Sequence, residues 1–304
     1  MFDDDLIASL HSARDYIRWG ASRMNEAGLF FGHGTAEAQD EAAALVLHVL
    51  HLPPDLHTGY LDCALSPEEA REALALLMRR IEQRIPLAYL TNEAWFAGRP
   101  YFVDERVLVP RSPLAELVEE RFYPWIAEPG SVRRVLDLGT GSGCIGIACA
   151  HALPHAQVDL SDISEEALEV AELNVVEHEL VDRAAVIQSD LFEALAGQRY
   201  DLIVCNPPYV GAEEMEQLPD EYLHEPEIGL VGGDDGLGLV AHILRHAAGH
   251  LTEEGVLIVE VGASWPVALR RWPRMPFVWL QFRRGGEGVF LLTRQQLERY
   301  RWVV

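Results

Sequence analysis

Asn206-Pro207-Pro208-Tyr209 follows directly on the apolar run Leu202-Ile203-Val204-Cys205. Two prolines cannot continue a strand ladder, so the run ends here and the carbonyls of Asn206 and Pro207 are left free to point outward. The chemistry open to this group is to grip a flat NH₂. The Asn206 side-chain oxygen and the Pro207 carbonyl accept its two N–H bonds, and the Tyr209 ring is expected to lie on the planar group. Asn206, Pro207, Pro208 and Tyr209 are therefore the candidate catalytic residues; the plainer alternative is a strand stop.

A second group lies upstream. Val135-Leu136-Asp137-Leu138 runs into Gly139-Thr140-Gly141-Ser142-Gly143, and Cys144-Ile145-Gly146-Ile147 opens a helix at once. Alternate glycines let the chain turn sharply and let a ligand lie on bare backbone near a helix N-terminus. Asp137 argues against a phosphate ligand and for an ammonium group, held directly or through water. Asp162 ends the next strand in the range where an acid takes ribose hydroxyls. Asp190, in Ser189-Asp190-Leu191-Phe192, is placed to accept from an adenine amine, and Leu191 and Asn206 are counted with the same ligand. An amine, a ribose and an adenine together describe S-adenosylmethionine. Each residue also has a structural alternative: tight-turn glycines, a cap at Asp162 for the helix near Ser164, a turn at Asp190.

A planar nitrogen has its lone pair drawn into conjugation and attacks a sulfonium methyl poorly. Positioning supplies roughly 7–11 kcal/mol in favourable cases, whereas a positioned base adds typically about 10²–10⁴-fold. No dedicated general base is therefore expected.

The elements that must carry these groups alternate after Arg133. Strands are predicted at 135–138, 158–161, 185–188, 202–205 and 256–261, with helices at 143–152, 165–178 and 237–250. This pattern calls for a parallel sheet covered on both faces. Phe277–Phe282 and Val289–Thr293 are expected to close it as an antiparallel pair. Before it, Trp95, Phe96, Tyr101, Phe102 and Val103 around Gly98 and Pro100 predict a hairpin, with a helix from Pro113 to about Phe122. The first ninety residues are helical in period. Leu6, Leu10, Ala13, Ile17, Ala21 and Met24 share one face of a first helix, a second apolar run covers Ala42 to Leu50, and Ser66, Pro67 and Glu69 start a third helix that ends before Pro86. The expected domains are 1–92 (helical, substrate-recognising), 93–112 (hairpin linker) and 113–304.

The chain has 304 residues, 49% hydrophobic and 24% charged, which fits a globular protein of two domains. Lys+Arg 24 against Asp+Glu 48 gives a net charge of −24, and every cation is arginine. That field disfavours nucleic acid and acidic membranes and favours a basic partner. The acidic start Met1-Phe2-Asp3-Asp4-Asp5 and the absence of a long apolar run predict a cytoplasmic protein. Cys63, Cys144, Cys149 and Cys205 show no metal or disulfide spacing and are expected in the core. His33, His48, His51 and His57 lack companion ligands, so no metal is predicted. Gly211 to Gly236 is a long acidic segment, read either as a substrate lid or as a solvated loop. Arg111 is expected to pair with a structural carboxylate.

The glycine loop, Asp162, Asp190 and Asn206-Pro207-Pro208-Tyr209 resemble the class I methyltransferases, and nearly the whole chain resembles the protein glutamine N5-methyltransferases. Tyr89-Leu90-Thr91-Asn92-Glu93-Ala94-Trp95-Phe96 and Val107-Leu108-Val109-Pro110-Arg111-Ser112-Pro113 resemble the branch acting on large-subunit ribosomal protein three. The release-factor branch is expected to continue Pro-Arg-Pro-Asp-Thr-Glu where this chain has Pro110-Arg111-Ser112-Pro113-Leu114. The strand end before Asp162, Leu160-Ser161, is more polar than is usual in the class. The resemblance implies a Rossmann-like α/β sheet behind a helical N-terminal domain. It also implies S-adenosylmethionine as cofactor and a glutamine carboxamide held by Asn206 and the Pro207 carbonyl. Alternatives are N5-methylation of release factors, amino-methylation of a nucleic-acid base, which the acidity disfavours, and a non-catalytic module on ribosome precursors.

Overall fold

The structure is a computed structural model that describes residues 4–304, so the start at Met1, Phe2 and Asp3 lies outside the described residues. The chain forms two compact units, Met1–Glu93 with Pro219–His224, and Ala94–Leu218 with Glu225–Val304.

The first unit is helical: α1 (Asp4–Ser9), α2 (Ala13–Glu26), α3 (Ala38–Val49), α4 (Pro67–Gln83) and α5 (Leu87–Thr91). The single first helix expected from periodicity is two. Ser12 breaks it, because its side chain accepts from Asp15 N–H while the Asp15 carboxylate takes the Ser12 N–H at 2.9 Å. A reciprocal cap of this kind outweighs continuity of the apolar stripe. Ser66 and Glu69 form the same box at the start of α4. The core holds Tyr16, Met24, Leu45, Leu74 and Leu77. Gly20 permits close packing there, since a Cβ would stand 2.7 Å from Leu77 Cδ2.

The second unit opens with the hairpin β1 (Glu93–Phe96) and β2 (Arg99–Phe102), where Ala97 and Gly98 both take positive φ, as a tight two-residue turn requires. After α6 (Leu114–Glu119) come β3 (Arg134–Leu138), α7 (Cys144–Ala152), β4 (Gln157–Asp162), α8 (Glu165–Glu177), β5 (Ala184–Gln188) and β6 (Tyr200–Cys205). They are followed by α9 (Ala212–Met215), α10 (Gly238–His246), β7 (Leu251–Glu260), α11 (Trp265–Arg271), β8 (Val278–Trp279), β9 (Val289–Thr293) and α12 (Arg294–Tyr300). The sheet runs β5-β4-β3-β6-β7-β9-β8; β3 to β7 are parallel, and β9 is antiparallel to both its neighbours.

Alternate residues feed opposite faces. Val135, Leu202, Val204 and Ile258 join the α7 side, while Leu136, Ile203, Leu257 and Val259 join the α10 side. This is the parallel α/β sheet that the resemblance implies. Three expectations need correction. The strand predicted over 277–282 shortens to Val278–Trp279. The helix predicted to 250 tightens to a 3₁₀ turn at Ala247–His250. Cys63 is exposed, unlike the three buried cysteines, because it follows a short surface 3₁₀ turn rather than a core element.

Candidate functional site

The C-terminal ends of β3, β4 and β6 surround a cavity of about 590 Å³ within the second unit. Gly139, Gly141, Asp162, Asp190, Leu191 and Asn206 all line it, with Pro207 and Pro208.

The glycine loop is folded onto β4. Ser161 O accepts from Gly139 N–H at 2.8 Å and from Thr140 N–H at 2.9 Å. Gly139, Gly141 and Gly143 hold φ of 74°, 54° and 81°, a region that disfavours other residues. Nothing lies within 4 Å of where a Cβ would stand on Gly139 or Gly141, so bare backbone faces open space. Asp162 secures the turn: one oxygen takes Gly141 N–H at 2.9 Å and the other Ser164 N–H at 3.0 Å. Burial pushes its carboxyl above the ordinary range, against those bonds. Asp162 is thus both a loop strut and a cavity residue, and Ser164 itself caps α8.

Asp137 lies behind the loop rather than in the cavity wall. It is fully buried, and one oxygen accepts Thr140 Oγ–H at 2.6 Å and Gly146 N–H at 2.8 Å. Its other oxygen, Oδ1, is buried with no hydrogen-bond partner. Burial raises its pKa to about 6, opposed by the Thr140 and Gly146 bonds and reinforced by the charge of Asp162. Thr140, Ser142 and Gly143 likewise stand outside the wall. Gly146 lets α7 lie on the sheet, since a Cβ would meet Leu160 Cδ2 at 2.0 Å.

Asp190 is exposed, and its carbonyl accepts Glu193 N–H at 3.0 Å in a turn. Leu191, next to it, takes φ 46°. A branched side chain held there is a strained conformation, the kind that clusters at ligand sites. The side-chain oxygen of Asn206 is buried and has no hydrogen-bond partner. Tyr209 is absent from the wall. Its hydroxyl donates to Glu260 Oε1 at 3.0 Å.

Other parts of the wall were not singled out from the sequence. Arg106, Val107 and Leu108 enter from the segment after the hairpin, which aromatic content alone marks as a connector. Asn174 on α8 ties β2 to the glycine loop. Its amide exchanges two bonds with the Phe102 backbone at 2.8 and 2.9 Å and donates to Ser142 O at 2.8 Å. Only its position on the inward face of a helix hinted at this.

The acidic stretch is more ordered than a solvated loop. Val210 N–H donates to Leu230 O, and Gly232 N–H to Val210 O, both at 2.9 Å, so its two ends close on each other. Its acids are partly structural. Glu225 binds Arg111 at 2.7 Å and takes Val109 N–H at 3.0 Å, which is the carboxylate expected for Arg111. Asp235 pairs with Arg271 at 2.7 Å. Pro226, Gly229, Val231 and Gly232 bring the far half to the cavity.

Residues 15–91 match the family described as PrmC N-terminal domain, and residues 124–226 match Methyltransferase small domain. A protein of Neisseria meningitidis named ribosomal protein uL3 glutamine methyltransferase is 51% identical over 288 residues, 95% of each chain. One of the same name from Francisella tularensis is 46% identical over 297 residues, 98% of this chain and 95% of its own. This chain belongs to the uL3 glutamine methyltransferase family. Membership covers both units, and it makes the chain an enzyme of the methyltransferase class. A solved methyltransferase of Pyrococcus furiosus aligns with TM-score 0.47 at 16% identity, over 64% of this chain and 88% of its own. Among the described residues, no helix of this family member is long and apolar enough to cross a membrane.

Proposed function

We propose that this chain transfers a methyl group from S-adenosylmethionine to the side-chain amide nitrogen of a glutamine in the large-subunit ribosomal protein uL3, in the cytoplasm. The observation that carries the reading is the Asn206 side-chain oxygen, buried at a cavity wall with no partner of its own. Leaving such a group unsatisfied costs about 1–3 kcal/mol. A donor that arrives with the substrate relieves that cost, and a carboxamide N–H is such a donor.

The cavity fits the cofactor in kind. A volume of about 590 Å³, bare glycine backbone at Gly139 and Gly141, and a carboxylate at Asp162 suit a nucleoside with an amino acid end. On this reading Asp162 accepts ribose hydroxyls, Asp190 accepts from an adenine amine, and Leu191 packs on the base; all three line the cavity. Asp137, Thr140, Ser142 and Gly143 hold the loop from behind. When bound, S-adenosylmethionine supplies an electrophilic methyl group on a sulfonium.

The rest is done by this chain's own residues. Asn206 Oδ1 accepts one amide N–H and the Pro207 carbonyl the other, which fixes the nitrogen plane and favours its pyramidalisation. Pro207 and Pro208 bring no N–H of their own to compete. With the donor bound, the amide nitrogen held by Asn206 and the Pro207 carbonyl would take the methyl group, the donor would leave as a neutral thioether, and the displaced amide proton would pass to water.

The test is mass spectrometry of purified uL3 incubated with this chain and the donor. One methyl group gained on one glutamine-containing peptide, and none with Asn206→Ala, is expected. Unmodified uL3 beside a methylated release factor overturns the substrate.

A further inference from the structure

We propose that Glu260 and Ser112 form a buried anchor that fixes Tyr209 and, through it, the Asn206-Pro207-Pro208 turn, which makes Glu260 a positioning residue for methyl transfer. This rests on the function proposed above.

Glu260 ends β7, and the parallel register of Cys205 with Val259 sets it beside the residue that follows β6, Asn206. Its side chain is only 4% exposed. One carboxylate oxygen accepts the Tyr209 hydroxyl at 3.0 Å and the other accepts Ser112 Oγ–H at 2.5 Å. Glu260 also feels the charge of Arg111, a guanidinium bound to Glu225. A buried carboxylate whose hydrogen bonds come from two hydroxyls, and whose nearby cation is already bound to Glu225, is a costly way to end a strand, where an apolar residue serves packing better. The expense is consistent with a role in aiming something.

What it aims is Tyr209. The carbonyl of Tyr209 accepts Ser264 Oγ–H at 3.0 Å. A Cβ on Gly262 would stand 2.5 Å from the Tyr209 ring, and one on Gly236 2.2 Å from its carbonyl oxygen. Ring, hydroxyl and carbonyl are thus all held by the segment 260–264, with Gly236 closing on the carbonyl from a second one, and Asn206 is three residues away along a stretch stiffened by two prolines. Rotation of the tyrosine transmits to the acceptor carbonyls because the prolines leave φ almost no freedom. Ser112 adds the third point: its Oγ also accepts Leu114 N–H at 3.1 Å, which seats it at the start of α6.

The experiment measures steady-state rates on uL3 with Tyr209→Phe, Glu260→Gln, Glu260→Ala and the Tyr209→Phe/Glu260→Gln pair, with donor affinity by calorimetry and melting temperature for each. Tyr209→Phe keeps the ring and removes only the link. Each single variant is expected to lower kcat by about 10–100-fold, the scale of a small misplacement at a reacting centre, with KM and donor affinity near wild type. The pair is expected to be no worse than its poorer member, since both changes cut one connection, and Glu260→Gln is expected to retain more turnover than Glu260→Ala. Wild-type kcat in Tyr209→Phe beside an inactive Asn206→Ala overturns the anchor alone. Full turnover in Asn206→Ala overturns the acceptor reading and the anchor with it. Losses that multiply in the pair, or a kcat that falls only in step with melting temperature, also overturn the positioning role.

Discussion

The Asp162 carboxylate binds the Gly141 N–H at 2.9 Å, so the acid at the end of β4 holds the middle of the loop that ends β3. Its second oxygen holds the start of α8. Replacing Asp162 with alanine therefore removes a cavity acceptor and releases the loop together. Charge-assisted hydrogen bonds contribute about 1.5–3 kcal/mol, so donor affinity is expected to fall at least tenfold. Calorimetry with S-adenosylhomocysteine checks it; wild-type affinity in Asp162→Ala would remove this residue from the site.

Asn206 is expected to behave differently. Its oxygen makes no bond inside the protein, so Asn206→Ala leaves nothing unpaired in the free enzyme. Loss of one preorganised group aimed at a reacting centre typically costs about 10²–10³-fold in kcat. Donor affinity is expected to change little. Rapid-quench measurement of single-turnover methylation reads the chemical step directly, and an unchanged rate would reject the assignment.

Much of this was legible from residue order. Glycine spacing, the acid at 162 and the prolines after β6 are local features, and each maps onto a strand end, where such sheets gather ligands. Asp137 shows the limit. A carboxylate two residues before Gly139 has the same signature whether it faces a ligand or the helix behind, and only the close seat of α7 on the sheet, permitted at Gly146, turns it inward. Tyr209 shows another. Its neighbours placed it in the acceptor group, but its partner Glu260 lies on a different strand, far along the chain. The break at Ser12 was written in the sequence as a capping box and masked by a stripe that runs through it.

Asp137 gives a pH prediction. Burial raises its pKa from 3.8 to about 6, so folding takes up a proton between those values. The stability linked to this group is complete below the ordinary pKa and lost as pH rises through about 6. Asp137→Asn keeps an acceptor for Thr140 and Gly146 and does not titrate. The stability of wild type relative to Asp137→Asn is therefore expected to fall by on the order of 2–3 kcal/mol from pH 4 to pH 7 and to level off above it. Urea melts at each pH measure this; a difference that stays flat would show that Asp137 does not titrate in the window.

Gly232, within the acidic stretch, supports the prolines directly. A Cβ on Gly232 would stand 2.7 Å from both Pro208 O and Gly236 O, and neither backbone oxygen can move aside cheaply. Gly232→Ala is expected to cost about 1–3 kcal/mol through overpacking and to reduce kcat, because the displaced atom belongs to the acceptor turn. A crystal structure of the variant with the Pro208 carbonyl unmoved would defeat this account.

The first unit carries a different vulnerability. Arg80, 1% exposed, binds Glu41 at 3.0 Å, Glu221 at 3.3 Å and the Phe30 carbonyl at 2.9 Å. Glu221 comes from the short segment Pro219–His224, which packs with this unit rather than with its chain neighbours. Burial pushes Glu41 up, while Glu221 ends below its ordinary value because the Phe30 N–H and Arg80 outweigh burial. Arg80→Met keeps much of the volume but strands the buried Glu41 carboxylate and leaves Glu221 to Arg84, which binds it at 3.2 Å, and breaking such a cluster costs about 3–5 kcal/mol. The helical unit is expected to melt earlier by circular dichroism, and acidification is expected to recover part of the loss, because protonating Glu41 removes the uncompensated charge. Equal destabilisation at every pH would mean that lost packing, not stranded charge, sets the cost.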